Sequence, residues 1–374
     1  MNKSILMIIG WRLLLIIAVY FGTFLVLQNN FLGGGVSYYQ DNPQFWWHAN
    51  FDGEHYLAIA KEGYRPLRHF FFPVYPLFIR YFSFWATDLA GYLISGIFIS
   101  HISLFLAVWG LHKLLKLDGH NPLFVLTILL IFPTSFYFAA VYTESLFLLF
   151  VVWSFYFARK NKFLIASLLA SAAAATRVIG VALIVSIAVE WLVQYKHSFN
   201  IKRAVSLFGY LLVMALGLLV YLWYLYSETG DPLVFIHKVE IYGNQRSASF
   251  VMLPQVFYRY LFKIIPALSF YWPVIFTTFL ELFTAVLFLI LVVFGYFKLR
   301  LSYWIYLFLG FLVPTLSGSF SSLPRYVLVL FPGFILMANI ANRLPKIVKY
   351  VLAGVSLASL ILATSMFSRG YWIS

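Results

Sequence analysis

Apolar runs of about twenty residues recur along the chain, separated by short polar or basic breaks. A helical run of that length spans a hydrocarbon core of ~30 Å. With helix start and stop signals, the pattern predicts helices over about 5–27, 89–112, 122–141, 144–158, 163–177, 179–195, 204–226, 272–297, 301–318, 325–342 and 347–367. The shortest can cross only where the bilayer thins or where protein covers them. The weak two-residue alternation of a membrane β-barrel is absent. The expected fold is all-α: a polytopic membrane protein with about eleven transmembrane helices, forming a single integral-membrane domain over residues 1–374.

Two breaks are long, at about 28–88 and 227–271. The first is not a plain linker. Its stretch HFFFPVYPLFIRYFSFW is aromatic and partly apolar, which predicts an interfacial or re-entrant segment packed on the bundle.

Composition agrees with a membrane solvent. The chain is 63% hydrophobic and 10% charged, with a mean hydropathy of +0.90. Soluble domains lie nearer about half apolar and about a quarter charged. The first apolar run is too long for a signal-peptide core and lacks a small-residue cleavage site, so it reads as a retained helix. Cysteine is absent, which excludes disulfides and thiolate metal sites. No internal repeat points to an inverted-repeat transporter.

The formal charge of +14 is informative through its distribution. With the N-terminus in the cytoplasm, fifteen basic residues, among them Lys3, Arg12, Arg159, Lys160 and Arg300, fall at inner ends, against only Asp118 and Glu190. The outer side then takes the other eleven basic residues and nine acidic ones. The short inner loops RKNK and KLR are where the positive-inside rule is most reliable. The expected location is a plasma (cytoplasmic) membrane, with both long breaks on the extracytoplasmic side.

Several polar residues then need a reason. In WWHANFDGEHYLAIAKEGY, Asp52 suits a helix N-cap, with Gly63 ending the helix and Leu57, Ala60 and Tyr64 on one face. It equally suits a general base at the outer surface. Glu54 reads as a first-turn acid or as half of a D-x-E pair for Mg²⁺ or Mn²⁺. His48 and His55 read as interfacial hydrogen-bonding residues, able to join that pair. Glu144, between two apolar runs, is either an acid at a helix start capped by Thr143 or a functional carboxylate with a partner. Arg177 either snorkels to the interface or clamps a phosphate or carboxylate. Arg325 opens a helix, where a cation opposes the dipole unless an anionic partner such as a ligand anion accompanies it, with packing on aromatic rings as the alternative. Lys238 and Arg246, in the second long loop, read as solvated charges, with ligand contacts as the alternative. The sequence contains no P-loop, no G-x-G-x-x-G after a strand, no H-E-x-x-H and no G-x-S-x-G.

WWHANFDGEHYLAIAKEGY followed by FFPVYPLFIR, then FPTSFYFAAVYTESLFLL, ATRVIG and RYVLVLFPGF, resembles the PIG-V-type mannosyltransferases of the GT-C class. The matching motifs run from about Trp46 to Phe334. The resemblance implies a GT-C-like helical bundle that takes one sugar, mannose in the family, from a polyprenyl-phosphate donor at the non-cytosolic face. It places Asp52 where the family carries its essential acid. Eukaryotic members act on the GPI anchor. The short chain here looks like a prokaryotic relative, with a glycan, lipid or protein acceptor.

On this basis Asp52 is expected as base, and Glu54, His55, Tyr56, Glu144, Arg177 and Arg325 as substrate-binding residues. The aromatics Trp46, Trp47, Tyr56 and Tyr64 are expected to pack at the interface, with stacking on sugar or lipid as the alternative. No metal or cofactor is expected, and no nucleic acid. The competing expectations are a lipid-linked-sugar transporter or flippase, an oligosaccharide polymerase or ligase, and a non-catalytic subunit.

Overall fold

The protein is described by a computed structural model that covers residues 2–29, 31–242, 247 and 249–373; Arg246 lies outside the described residues. Among the described residues the structure is helical throughout, with no strand. The main helices are α1 Asn2–Leu25, α2 Asp52–Glu62, α3 Val74–Phe82, α4 Leu89–Leu117, α5 Pro122–Leu130, α6 Glu144–Arg159 and α7 Phe163–Ala174. They continue with α8 Gly180–Tyr195, α9 Ile201–Thr229, α10 Trp272–Lys298, α11 Leu301–Thr315, α12 Leu323–Tyr326, α13 Phe331–Arg343 and α14 Lys346–Ser368.

Among the described residues, five helices, α1, α4, α9, α10 and α14, are long and apolar enough to cross a membrane. A sixth span arises if the α12 segment and α13 are one broken span, bent by 87°. Helix α9 is the plainest case for an apolar surrounding. Its most apolar window is only 11% buried by protein, and an apolar helix left so uncovered fits lipid rather than water.

Local signals set many helix ends. Asp88 caps α4 through Gly91 N–H at 3.0 Å, Asn121 caps α5, and Asn200 caps α9 through Arg203 N–H at 3.0 Å. Two expected single helices are broken. The one expected over about 122–141 stops at Leu130 and resumes as a short 3-10 turn, Ser135–Phe138. Pro133 lies in the gap; it lacks an N–H and disfavours helical backbone at Phe132. The one expected over about 325–342 breaks at Leu330, and Pro332 starts α13 afresh.

The first long break folds onto the bundle. Helix α3 buries Tyr75 and Ile79 completely, while Tyr81 and the following Phe84 and Trp85 stay exposed. That is the amphipathic aromatic pattern expected of an interfacial segment.

Asp118 and Glu190 tie the far end of the bundle. Arg300 donates twice to Glu190, at 2.7 and 2.8 Å, and Ser302 Oγ donates at 2.6 Å. Asp118 pairs with Arg159 and accepts from Tyr303 Oη at 2.6 Å. Arg159 ends α6 and Glu144 begins it, so this cluster sits about 22 Å along the helix from Glu144. Arg12 lies further into α1 than an inner-end position. Its Nη2 donates to His48 Nε2 at 2.7 Å, and His48 Nδ1 donates to Phe45 O at 2.8 Å. His48 is therefore a buried link between α1 and the loop before α2, not an interfacial residue.

Candidate active site

Two loops carry the carboxylates, and backbone geometry holds them side by side. Val141 N–H donates to His48 O at 2.8 Å, and Tyr142 Oη donates to Asn50 O at 2.8 Å. Asn50 Nδ2 donates to Phe367 O at 2.8 Å, which fixes the first loop to the end of α14. The turn into α2 passes through Phe51 at φ 58°, a left-handed value that a bulky residue adopts only under constraint.

Asp52 and Glu144 are each the first residue of a helix, where the N-terminal dipole favours an anion. This corrects the capping reading of both segments. Phe51, not Asp52, occupies the N-cap position of α2, and no side chain caps there. Thr143 precedes α6 but does not cap it; its Oγ1 accepts from Arg177 Nη1 at 3.2 Å. Gly63 does end α2, with its N–H on Ile59 O at 2.9 Å.

One arginine comes from a break between helices and the other from a short helix. Arg177 lies between α7 and α8, with only 11% of its side chain exposed, and pairs with Glu144. It is not a snorkelling residue. Arg325, in α12, donates from Nη1 to Asp52 Oδ2 at 2.6 Å, and its Nε lies 3.6 Å from Glu144 Oε1. Its Cζ sits 5.2 to 5.5 Å from the ring centroids of Tyr137, Tyr142, Tyr326 and Trp372. This aromatic cage suits a planar cation. The anionic partner expected for Arg325 is thus supplied by the chain itself.

The four charges are not equivalent. The Glu144 side chain is 1% exposed and its Oε1 faces both arginines, whereas that of Asp52 is 23% exposed. The Arg325 bond engages Asp52 through Oδ2 only. Glu144 Oε2 and Arg325 Nε are buried without a hydrogen-bond partner. A bound group could satisfy one orphan acceptor and one orphan donor here.

A cavity of about 1300 Å³ opens on this cluster. Asp52, Glu54, His55, Tyr56, Glu144, Arg177 and Arg325 all line it, so it gathers every sequence-derived site residue. Much of the remaining wall is apolar, including Phe70, Phe71, Phe72, Phe235 and Phe250. Glu54 is exposed on the cavity wall, yet surrounding protein raises its carboxyl above the ordinary value, against the N–H groups of Gly35 and Gly34. Burial lowers the His55 imidazole, against the opposing charge of Asp52; its ring stacks on Phe71 at 4.7 Å. Burial, then the charges of Asp52 and Glu144, raise the Tyr56 hydroxyl. Among the described residues, no group of three or more His, Asp or Glu is placed to hold a metal ion.

Trp46 and Trp47 are buried and, with Tyr64, are absent from the cavity wall. Lys238 is exposed and also off the wall. Sequence reasoning missed Glu281, Tyr326, Tyr371 and Trp372, all of which line the cavity. Glu281 had a legible signal, an acid inside the apolar run FTTFLELFTAV. Trp372 had none, because it follows α14 and reaches Arg325 only through folding. No protein-family model matches the chain, and no curated protein matches it.

Proposed function

We propose that the chain is an inverting glycosyltransferase of GT-C type. It moves one sugar, mannose by resemblance, from a polyprenyl-phosphate donor to an acceptor hydroxyl at the extracytoplasmic face of the plasma membrane. On this reading the shorter apolar helices complete a GT-C-like bundle of about eleven spans. The observation that carries the proposal is the cavity: a largely apolar chamber whose polar end joins a partly exposed carboxylate to two guanidinium groups. The resemblance to PIG-V-type enzymes in WWHANFDGEHYLAIAKEGY and YTESLF supports it.

The donor's phosphate meets Arg325 and Arg177, and its chain lies along the phenylalanine wall. Asp52 takes the proton from the acceptor hydroxyl. That oxygen forms a bond to the anomeric carbon as the bond from carbon to phosphate oxygen breaks. The electron pair leaves with the polyprenyl phosphate, and the configuration inverts. The guanidinium groups stabilise the charge that grows on the phosphate, with more effect where water is scarce. Glu144 orients both arginines. Phosphate departs as a stable anion, so the residues described suffice for the step without a metal.

The test is transfer in reconstituted vesicles from radiolabelled polyprenyl-phosphate mannose to a pool of lipid, protein and glycan acceptors. The wild type is expected to form a labelled product. Asp52→Asn, which keeps the shape and removes the base, is expected to lose at least about a hundredfold in rate. Near-normal transfer by folded Asp52→Asn protein would remove the base assignment. Movement of intact donor across the bilayer without any glycosidic product would favour a flippase instead.

A further inference from the structure

The cavity has a second polar wall that this step leaves unused. Helix α10 lines it with Pro273, Val274, Thr277, Thr278 and Glu281, a spacing that puts all five on one helix face. Glu281 is the one acid in this 27-residue apolar helix and is only 6% exposed. An acid so placed is costly and marks a function by default. Tyr260 Oη donates to Glu281 Oε2 at 2.6 Å, and Phe320 N–H donates to Tyr260 Oη at 3.2 Å. Tyr260 opens a π-helical turn, Tyr260–Ile264, a distortion frequent at functional sites. Phe320 leads through Ser321 and Ser322, both on the cavity wall, to Arg325. Glu281 is thus tied through Tyr260 to the segment that carries the arginine.

We propose that Glu281, with Thr277 and Thr278, forms the acceptor subsite and selects an acceptor that presents at least two hydroxyl groups. This rests on the transfer reading. One acceptor hydroxyl gives its proton to Asp52 while a second donates a hydrogen bond to the Glu281 carboxylate. A hydroxyl donor suits this wall, since a carboxylate accepts hydrogen bonds at both oxygens, Glu281 already accepts one from the Tyr260 phenol, and the hydroxyl-bearing Thr277 and Thr278 line the cavity beside it. A hydrogen bond to a charged group discriminates strongly against a ligand that lacks it.

The experiment uses the full chain in vesicles with a labelled polyprenyl-phosphate sugar and three small acceptor probes: glycerol, methyl mannoside and 1-propanol. Release of free sugar measures transfer to water. The wild type is expected to use glycerol and methyl mannoside with kcat/KM on the order of tenfold above propanol. Glu281→Gln should lose that preference through a rise in the acceptor KM of glycerol and methyl mannoside, on the order of tenfold. Thr278→Val should lose part of it, and serves if Glu281→Gln does not fold. An intact preference in Glu281→Gln overturns the proposal. So does an equal fall in transfer and hydrolysis with the preference kept, which marks a structural role. A wild type that neither transfers nor hydrolyses removes the transfer reading and this proposal with it. An active wild type with an unaltered Glu281→Gln removes the subsite alone.

Discussion

Asp52 and Arg325 are 273 residues apart in sequence and 2.6 Å apart in space. Their pairing has a consequence for binding. An incoming phosphate competes with Asp52 for the guanidinium, so the proposed base itself opposes the donor until it is displaced. Asp52→Asn is therefore expected to bind farnesyl phosphate in detergent more tightly than wild type, on the order of tenfold, while Arg325→Ala binds it more weakly. Equal or weaker binding by Asp52→Asn would show that the carboxylate does not compete. Removing Glu144 leaves buried Arg177 without its partner. Glu144→Ala should cost about 3–5 kcal/mol in thermal unfolding, and Glu144→Leu with Arg177→Met should recover most of it. His55 adds a pH term. Its folded pKa lies below the ordinary 6.5, so the unfolded chain takes up the proton more readily. Stability from this group is present above that value and is lost as pH falls through the folded pKa. His55→Asn should flatten the acid side of a melting-temperature profile.

At the scale of elements, packing explains what propensity leaves open. Helices α7 and α9 approach so closely that a Cβ on Gly217 would stand 2.2 Å from Ser171 O, and Ser171 Oγ accepts from Gly217 N–H at 2.8 Å. Small residues permit this backbone contact within a membrane. Gly217→Ala is expected to lower stability by about 1–3 kcal/mol; an unchanged melting temperature would mean that the two helices part freely. Helix α6 shows how much the sequence conveys: its expected bounds, about 144–158, match Glu144–Arg159 within a residue. The run at about 122–141 shows the limit. Hydropathy averages over Pro133 and sees one span, although the backbone breaks there into α5 and a 3-10 turn.

For the whole molecule, orientation in the membrane decides which pool of substrates the cavity meets. The chain lacks cysteine, so single introduced thiols report sidedness cleanly. Arg65, 63% exposed in the first long loop, and Lys160, exposed beyond α6, fall on opposite sides by the charge bias. A membrane-impermeant maleimide should label Arg65→Cys on intact cells and Lys160→Cys only after permeabilisation. The reverse pattern would put Asp52 on the cytoplasmic side and end the proposal of an extracytoplasmic donor.

Composition and apolar periodicity alone determined that the chain is helical, that several helices are long enough to cross a bilayer, and where most of them start. These properties are local: a run of apolar side chains, a capping Asn or Asp, or a proline acts on its own neighbours. The sequence also singled out Glu144 and Arg177, because an ion in an apolar setting is costly wherever it lies, Arg325 by its place at a helix start, and Asp52 through the family resemblance. Tertiary structure decided that these four converge, that Asp52 begins its helix rather than capping it, and that Glu281 and Trp372 share their cavity. The convergence and the shared cavity join elements far apart in the chain. Partner choice depends on which breaks the packed helices bring to the same end of the bundle, and no window of sequence contains that information.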